Sequence, residues 1–223
     1  MINWLPMVVN KMSCEELQAD DAPPIRPRKA RGPKADTRAR IVAAAVRLYL
    51  EQGLAGASTL AIARAADVAP GTVRNHFPSR DDLSAAVLDQ VLVELSPPSP
   101  EIFGGLTGVA DRIRRLAMEL AAFYERSEPW WRAYQREPDL ISAWTSGVDR
   151  YYRDTDALMR AALGPLGADE TAAAVVAAVI GPPTFFVLRS RGLSGAEAAE
   201  VTVALTVPWL EARLPRRAKG RAR

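Results

Sequence analysis

Between Ser58 and Phe77 the apolar residues fall at helical spacing in two stretches, each too short to stand alone as a helix. Ile62, Ala63 and Ala66 mark the inner face of the first stretch, with Leu60 or Thr59 beside them. Val73 and Phe77 mark the inner face of the second. Asp67-Val68-Ala69 forms a tight turn between them, with Val68 plugging it, and Pro70 sits where a first-turn proline is tolerated. Ser58 is suited to cap the first stretch. Small alanines at 63 and 66 allow a close crossing, and the pair needs a third helix to cover it. The segment from Asp36, read as its N-cap, supplies one through Ile41, Ala44, Ala45, Leu48 and Tyr49, and Gly53 ends it.

Two short helices crossing near a right angle over a turn of this length form a helix-turn-helix. The first helix braces the second, whose N-terminal side chains reach base edges in the major groove. Here that leaves Pro70, Gly71, Thr72, Arg74, Asn75 and His76 facing outward. After Pro78, Ser79 and Asp82 make a capping-box start to a fourth helix striped by Leu83, Val87, Val91 and Leu95.

Arg40-Ile41, Ala44-Ala45, Leu48, Gly53, Ile62-Ala63, Ala66, Val68, Gly71-Thr72, His76-Phe77, Ser79 and Leu83 occur in an order and spacing that resembles the signature of the TetR (tetracycline-repressor-like) family. The resemblance runs from about Lys34 to Leu95. It implies an all-α fold, with an N-terminal three-helix DNA-binding domain and a C-terminal helical domain for ligand binding and dimerisation. Thr72 and His76 match positions that contact phosphates, and Arg80 stands where the family has a backbone-touching lysine. The expected DNA-contacting set is Lys34, Arg38, Ser58, Pro70, Gly71, Thr72, Arg74, Asn75, His76 and Arg80. The sequence departs from the family at three positions. Asp67 replaces the glycine of the turn, and Asp tolerates positive φ better than most residues. Ala69 replaces a Ser or Thr cap, a loss of about 1 kcal/mol. Arg74 replaces a backbone-binding tyrosine; an arginine there binds phosphate or reads a guanine bidentately.

Ser96-Pro97-Pro98-Ser99-Pro100 stops the fourth helix and marks the best boundary in the chain. The sequence thus divides into a disordered basic arm over 1–33, a reading domain over 34–95, a C-terminal domain over 101–213 and a basic tail over 214–223. In the C-terminal part, Ile113, Leu116, Leu120 and Phe123 stripe one helix, and Pro129 precedes a short segment with Trp130 and Trp131. Another helix carries Trp144, Val148, Tyr151, Leu158 and Met159 and stops near Gly164-Pro165. A helix bent at its prolines covers 172–189, and a last one opens at Ser194. Phe123, Trp130, Trp131, Tyr134, Trp144 and Tyr151 are candidates for a pocket that takes an apolar or aromatic effector, although such a stripe also serves as ordinary core. The resemblance assigns the last two long helices, over 171–188 and 194–210, to a four-helix homodimer interface, which suits a palindromic operator.

The net charge of +3 decides little, but basic residues crowd both ends of the chain. The arm around Arg28–Lys34 either enters the minor groove or is a loose tail. Cys14 and His76 are the only residues of their kinds, so no disulfide or Cys/His zinc site forms within one chain, and a reducing cytoplasm fits. No cofactor is expected. The apolar stretch 171–188 approaches membrane-span length, but Gly181-Pro182-Pro183 interrupts it, which favours a core or interface helix. Two rival readings are an all-helical enzyme and a helical interaction or membrane-associated protein. The first lacks any nucleophile–base, metal-ligand or Gly-rich phosphate spacing; Glu119, Asp149, Asp154 and Asp156 fall on solvated faces.

Overall fold

The computed structural model describes residues 33–137 and 142–214. The basic arm and tail therefore lie outside the described residues except for Pro33 and Leu214. Every regular element described is helical.

The first helix, α1 (Pro33–Gly56), starts earlier than expected, so Asp36 lies in its first turn, where its charge favours the helix dipole, rather than at the cap. Near its far end Gly53 leaves helical geometry at φ 77°, a conformation that glycine adopts without strain. α2 (Thr59–Ala65), α3 (Pro70–His76) and α4 (Arg80–Leu95) follow, then a 3₁₀ turn, η1 (Pro100–Phe103). Ile41, Ala45, Tyr49, Ile62, Ala63, Val73, Phe77, Leu83 and Val87 close one core among the first four helices. Inside it the Tyr49 and Ser84 hydroxyls hydrogen-bond at 3.0 Å, tying α1 to α4. Leu60 and Thr59 do not join this core. Both are exposed, because a helix this short turns only Ile62, Ala63 and the capping Ala66 toward its neighbours.

The second core is built by α5 (Val109–Arg136), α6 (Ser142–Leu163), η2 (Gly164–Leu166), α7 (Glu170–Ile180), α8 (Pro182–Ser190) and α9 (Gly195–Glu211). Ile113, Leu116, Leu120, Leu163, Val176 and Leu210 lie at its centre. α5 runs unbroken through Pro129, contrary to the expected new segment there. Packing at both ends overrides the proline's preference: Phe123 and Tyr124 are buried in the second core, while Trp130 packs against the first. α9 lies along α5, and its N-terminus is anchored there by the Gly195 amide, which donates to Glu125 Oε1 at 3.0 Å. A Cβ at Gly195 would fall 2.4 Å from the Glu125 carboxyl carbon, so a larger residue there would displace that carboxylate. Arg189 of α8 also reaches Glu125, at 3.6 Å.

The helix expected over 172–189 is two helices rather than one bent one. Gly181 is extended at φ −69° and ψ 167°, and its successors Pro182 and Pro183 open α8. The 21-residue stretch Glu170–Ser190 is long and apolar enough in composition to cross a membrane. The break leaves helices of 11 and 9 residues, whereas a span needs about 20 in one helix.

Candidate nucleic-acid interface and apolar pocket

The helix-turn-helix is assembled by local signals. Ser58 accepts a hydrogen bond from the Ala61 amide at 3.2 Å and starts α2. The turn that follows passes through Asp67 in the left-handed region, at φ 52°. This is the position where the sequence departs from glycine, and a second residue offsets the strain. Arg40 of α1 donates to the Asp67 carbonyl at 2.9 Å, bonds the Ala66 carbonyl too, and lies 3.7 Å from the Asp67 carboxylate. Reading the sequence assigned Arg40 only to the basic cluster and the family signature. Its clamp on a turn 27 residues away was not visible there. Ala69 begins α3 without a side-chain cap bond, as its residue type requires.

α3 buries Val73 and rests on Phe77, and this fixes which side chains face out. Arg74 and Asn75 are exposed, and Pro70, Gly71, Thr72 and His76 are half-buried. Among the described residues, Arg74 and Asn75 have no side-chain partner. Lys34 and Arg38 are exposed at the start of α1, and the Arg38 guanidinium stands 4.8 Å from the centre of the Phe77 ring. That contact brings the head of α1 to the end of α3. Arg80 is exposed at the first turn of α4 and lies beside Tyr49. Burial pushes the Tyr49 phenol above its ordinary value, while the Ser84 and Arg80 contacts oppose the rise. Arg64, exposed on α2, adds a cation that the sequence reading did not single out.

Behind α3, the start of α4 is held by a reciprocal capping box. The Asp82 amide donates to Ser79 Oγ at 3.0 Å, and the Ser79 amide donates to Asp82 Oδ2 at 2.9 Å. The Ser79 hydroxyl and amide keep the Asp82 carboxyl below its ordinary range. A group whose folded pKa is lowered contributes stability above its unfolded pKa and loses it as pH falls through the folded value. Ser79→Ala should therefore lower the neutral-pH melting temperature by about 2–4 °C, for a cap of about 1 kcal/mol. It should also reduce the acid-side slope, and thermal melts against pH check both. An unchanged melting temperature and slope would mean that this cap contributes nothing.

An apolar cavity of about 80 Å³, open on one side, lies between α4, α5, α6 and α8. Phe123, Trp130, Trp131 and Tyr151 of the expected pocket set line it. The side chains of Tyr134 and Trp144 lie outside the described ones. The lining also takes Leu88, Val91, Leu92 and Leu95 from α4, Tyr124 and Ser127 from α5, Gly147 from α6, and Pro182 and Phe186 from α8. Apart from Tyr124, which belongs to the same aromatic cluster in the sequence, none of these was singled out for the pocket, because helical periodicity does not reveal which faces of distant helices meet. Phe123 stacks on Tyr151 with centroids 5.5 Å apart, and Trp131 stacks on Phe186 at 6.0 Å. Among the described residues no cluster of His, Cys, Asp and Glu suited to a metal ion occurs.

An all-helical chain with a capped helix-turn-helix, and with the polar and cationic edge of α3 turned outward, is a DNA-binding transcriptional regulator in class. Residues 41–87 match the family model for bacterial regulatory proteins of the tetR family. That match covers the helix-turn-helix domain alone, less than half of the chain. No curated protein sequence matches it. Several solved structures share the fold. The flavonoid-responsive regulator FrrA is 22% identical, with 82% of this chain and 100% of that one covered and a TM-score of 0.59. FadR from Bacillus subtilis, solved with stearoyl-CoA, is 14% identical, with 76% and 97% covered and a TM-score of 0.55. NalD, the secondary repressor of the MexAB-OprM multidrug efflux pump in Pseudomonas aeruginosa, is 21% identical, with 78% and 96% covered and a TM-score of 0.54.

Proposed function

We propose that this chain is a cytoplasmic, ligand-responsive repressor that binds a palindromic operator as a homodimer. The observation that carries the DNA reading is α3, which anchors Val73 in the core and leaves Arg74 and Asn75 bare. Thr72, Arg74, Asn75 and His76 meet the major groove, and the α3 backbone at Pro70 and Gly71 approaches it closely. Lys34, Arg38, Arg80 and the α2 start at Ser58 hold the flanking phosphates. Residues 34–95 form the reading domain, and 101–213 bind the effector and the second copy.

The homodimer reading is supported by the faces that α7 and α9 leave uncovered. Val201, Ala204, Leu205 and Pro208 make an exposed apolar stripe on α9, and Ala174, Ala177 and Ala178 make one on α7. Val187 on α8 is exposed as well. A second copy removes such a surface from water. The effector reading is supported by α4, which contributes Leu83 and Val87 to the reading domain's core and Leu88, Leu92 and Leu95 to the cavity wall. A ligand that prefers one placement of α4 shifts the two heads by its differential affinity for the two states. FrrA is described as flavonoid-responsive and FadR was solved with stearoyl-CoA, two precedents for a small-molecule effector on this fold.

Fluorescence anisotropy with DNA from upstream of the chain's own gene, against random competitor and across salt, tests the proposal. Tight binding that survives competitor is expected. Weak binding that follows salt alone would leave only nonspecific electrostatics and overturn it.

A further inference from the structure

The cavity lining has no carboxylate, ammonium, guanidinium or imidazole among the described residues. Its polar side-chain groups are the hydroxyls of Ser127, Tyr124 and Tyr151 and the indole N–H groups of Trp130 and Trp131. Ser127 is already engaged, donating to the Tyr124 carbonyl at 3.3 Å. The Tyr124 and Tyr151 hydroxyls are buried close to each other, with Thr155 beside Tyr151, and neither makes a hydrogen bond of good geometry. A buried unpaired hydroxyl is destabilising, and phenylalanine at both positions would fill the same space without that penalty. We infer that the two hydroxyls are the recognition pair of the cavity, and that its ligand is an uncharged aromatic molecule bearing an oxygen that hydrogen-bonds to them. This rests on reading the cavity as an effector site.

Charge balance supports the uncharged class. Burial pushes the Tyr151 phenol up to about 12. Burial, with Tyr151 nearby, also holds Tyr124 well above its ordinary value. Both are neutral at physiological pH, so the lining offers no counter-charge to an ammonium or a carboxylate. The flat walls formed by Phe123–Tyr151 and Trp131–Phe186 suit a ring laid between them. A dry cavity of about 150 Å³ holds benzene. At about 80 Å³ this cavity holds a single ring only if side chains yield or the substituent emerges through the open side.

Ligand-observed NMR titration of the full chain without DNA tests this with four probes. Acetophenone carries the oxygen, α-methylstyrene replaces its C=O by C=CH₂, benzoate is the anion and phenyltrimethylammonium the cation. Wild type is compared with the Tyr124→Phe, Tyr151→Phe double variant, which keeps both rings. In the variant, acetophenone should lose about ten-fold in affinity while α-methylstyrene is unchanged. The ligand-free variant should also melt about 2–4 °C higher, which certifies its fold. Three results overturn the inference: acetophenone losing no more than α-methylstyrene, either ion binding wild type more tightly than acetophenone, or no probe binding. Equal binding of the two neutral probes in both proteins sinks the hydroxyl pair alone and leaves the effector site standing. No binding by any probe counts against that site as well.

Discussion

A Thr72→Ala, Arg74→Ala double variant should fold and melt like wild type but lose its preference for the operator. Neither residue belongs to the core; Arg74 is exposed and Thr72 half-buried, while Val73 and Phe77 between and beyond them carry the packing. If Arg74 reads a guanine bidentately, each head loses about 1–3 kcal/mol. An operator that engages two heads doubles this to about 2–6 kcal/mol, roughly 30-fold to 10⁴-fold in affinity. If Arg74 binds phosphate instead, all sequences weaken alike and the salt slope falls by about one for each arginine removed. Anisotropy titrations on operator and random DNA at several salt concentrations separate these cases. Unchanged affinity and slope on both DNAs would take α3's exposed edge out of the interface.

That edge was legible in the sequence because every signal that builds it is local. Ser58 caps α2, Pro70 opens α3, and Ser79 with Asp82 starts α4, each by a bond within about one helical turn. The same locality explains the errors. Periodicity allowed Leu60 or Thr59 to face inward, but burial depends on where α1 and α4 sit, and both residues remain exposed. Pro129 looked like a helix start because proline is favoured there, and packing on both flanks carried α5 through it instead. The prolines at 182 and 183 suggested a bend, and the chain breaks instead, since the extended backbone of Gly181 ends α7 outright. The turn clamp of Arg40 and the meeting of Tyr124 with Tyr151 join residues 26 or 27 positions apart, beyond the reach of any local pattern. The aromatic pocket was half legible: the sequence named Phe123, Trp130, Trp131 and Tyr151 but missed the α4 and α8 walls. Those walls carry the proposed coupling, because α4 lines the cavity and also packs in the core of the helix-turn-helix domain.

In the proposed homodimer the reach of that head depends on a second copy, which sets up the larger expected effect. Leu205 is 61% exposed on α9 and Val201 is 36% exposed one turn before it, on the stripe assigned to the homodimer. Leu205→Glu should leave each chain folded, because the side chain makes no contribution to the core. In a two-fold interface the substitution brings two carboxylates onto the same apolar patch. Like charges there cost several kcal/mol, so dimer affinity should fall about 10²–10⁴-fold. A monomer engages a half-site only, and losing the linked second contact removes a further factor of about 10²–10⁴ in operator affinity. Sedimentation equilibrium and operator titration should therefore change together, while salt-dependent binding to random DNA persists. Val93→Glu is the control, since Val93 is 66% exposed on α4, outside the stripe, and its variant should remain a dimer. A Leu205→Glu protein that stays dimeric and keeps operator affinity would move the interface off α9. The apolar stripes on α7 and α9 would then need a different partner, because exposed leucine, valine and alanine at helical spacing leave a continuous surface for water to reject.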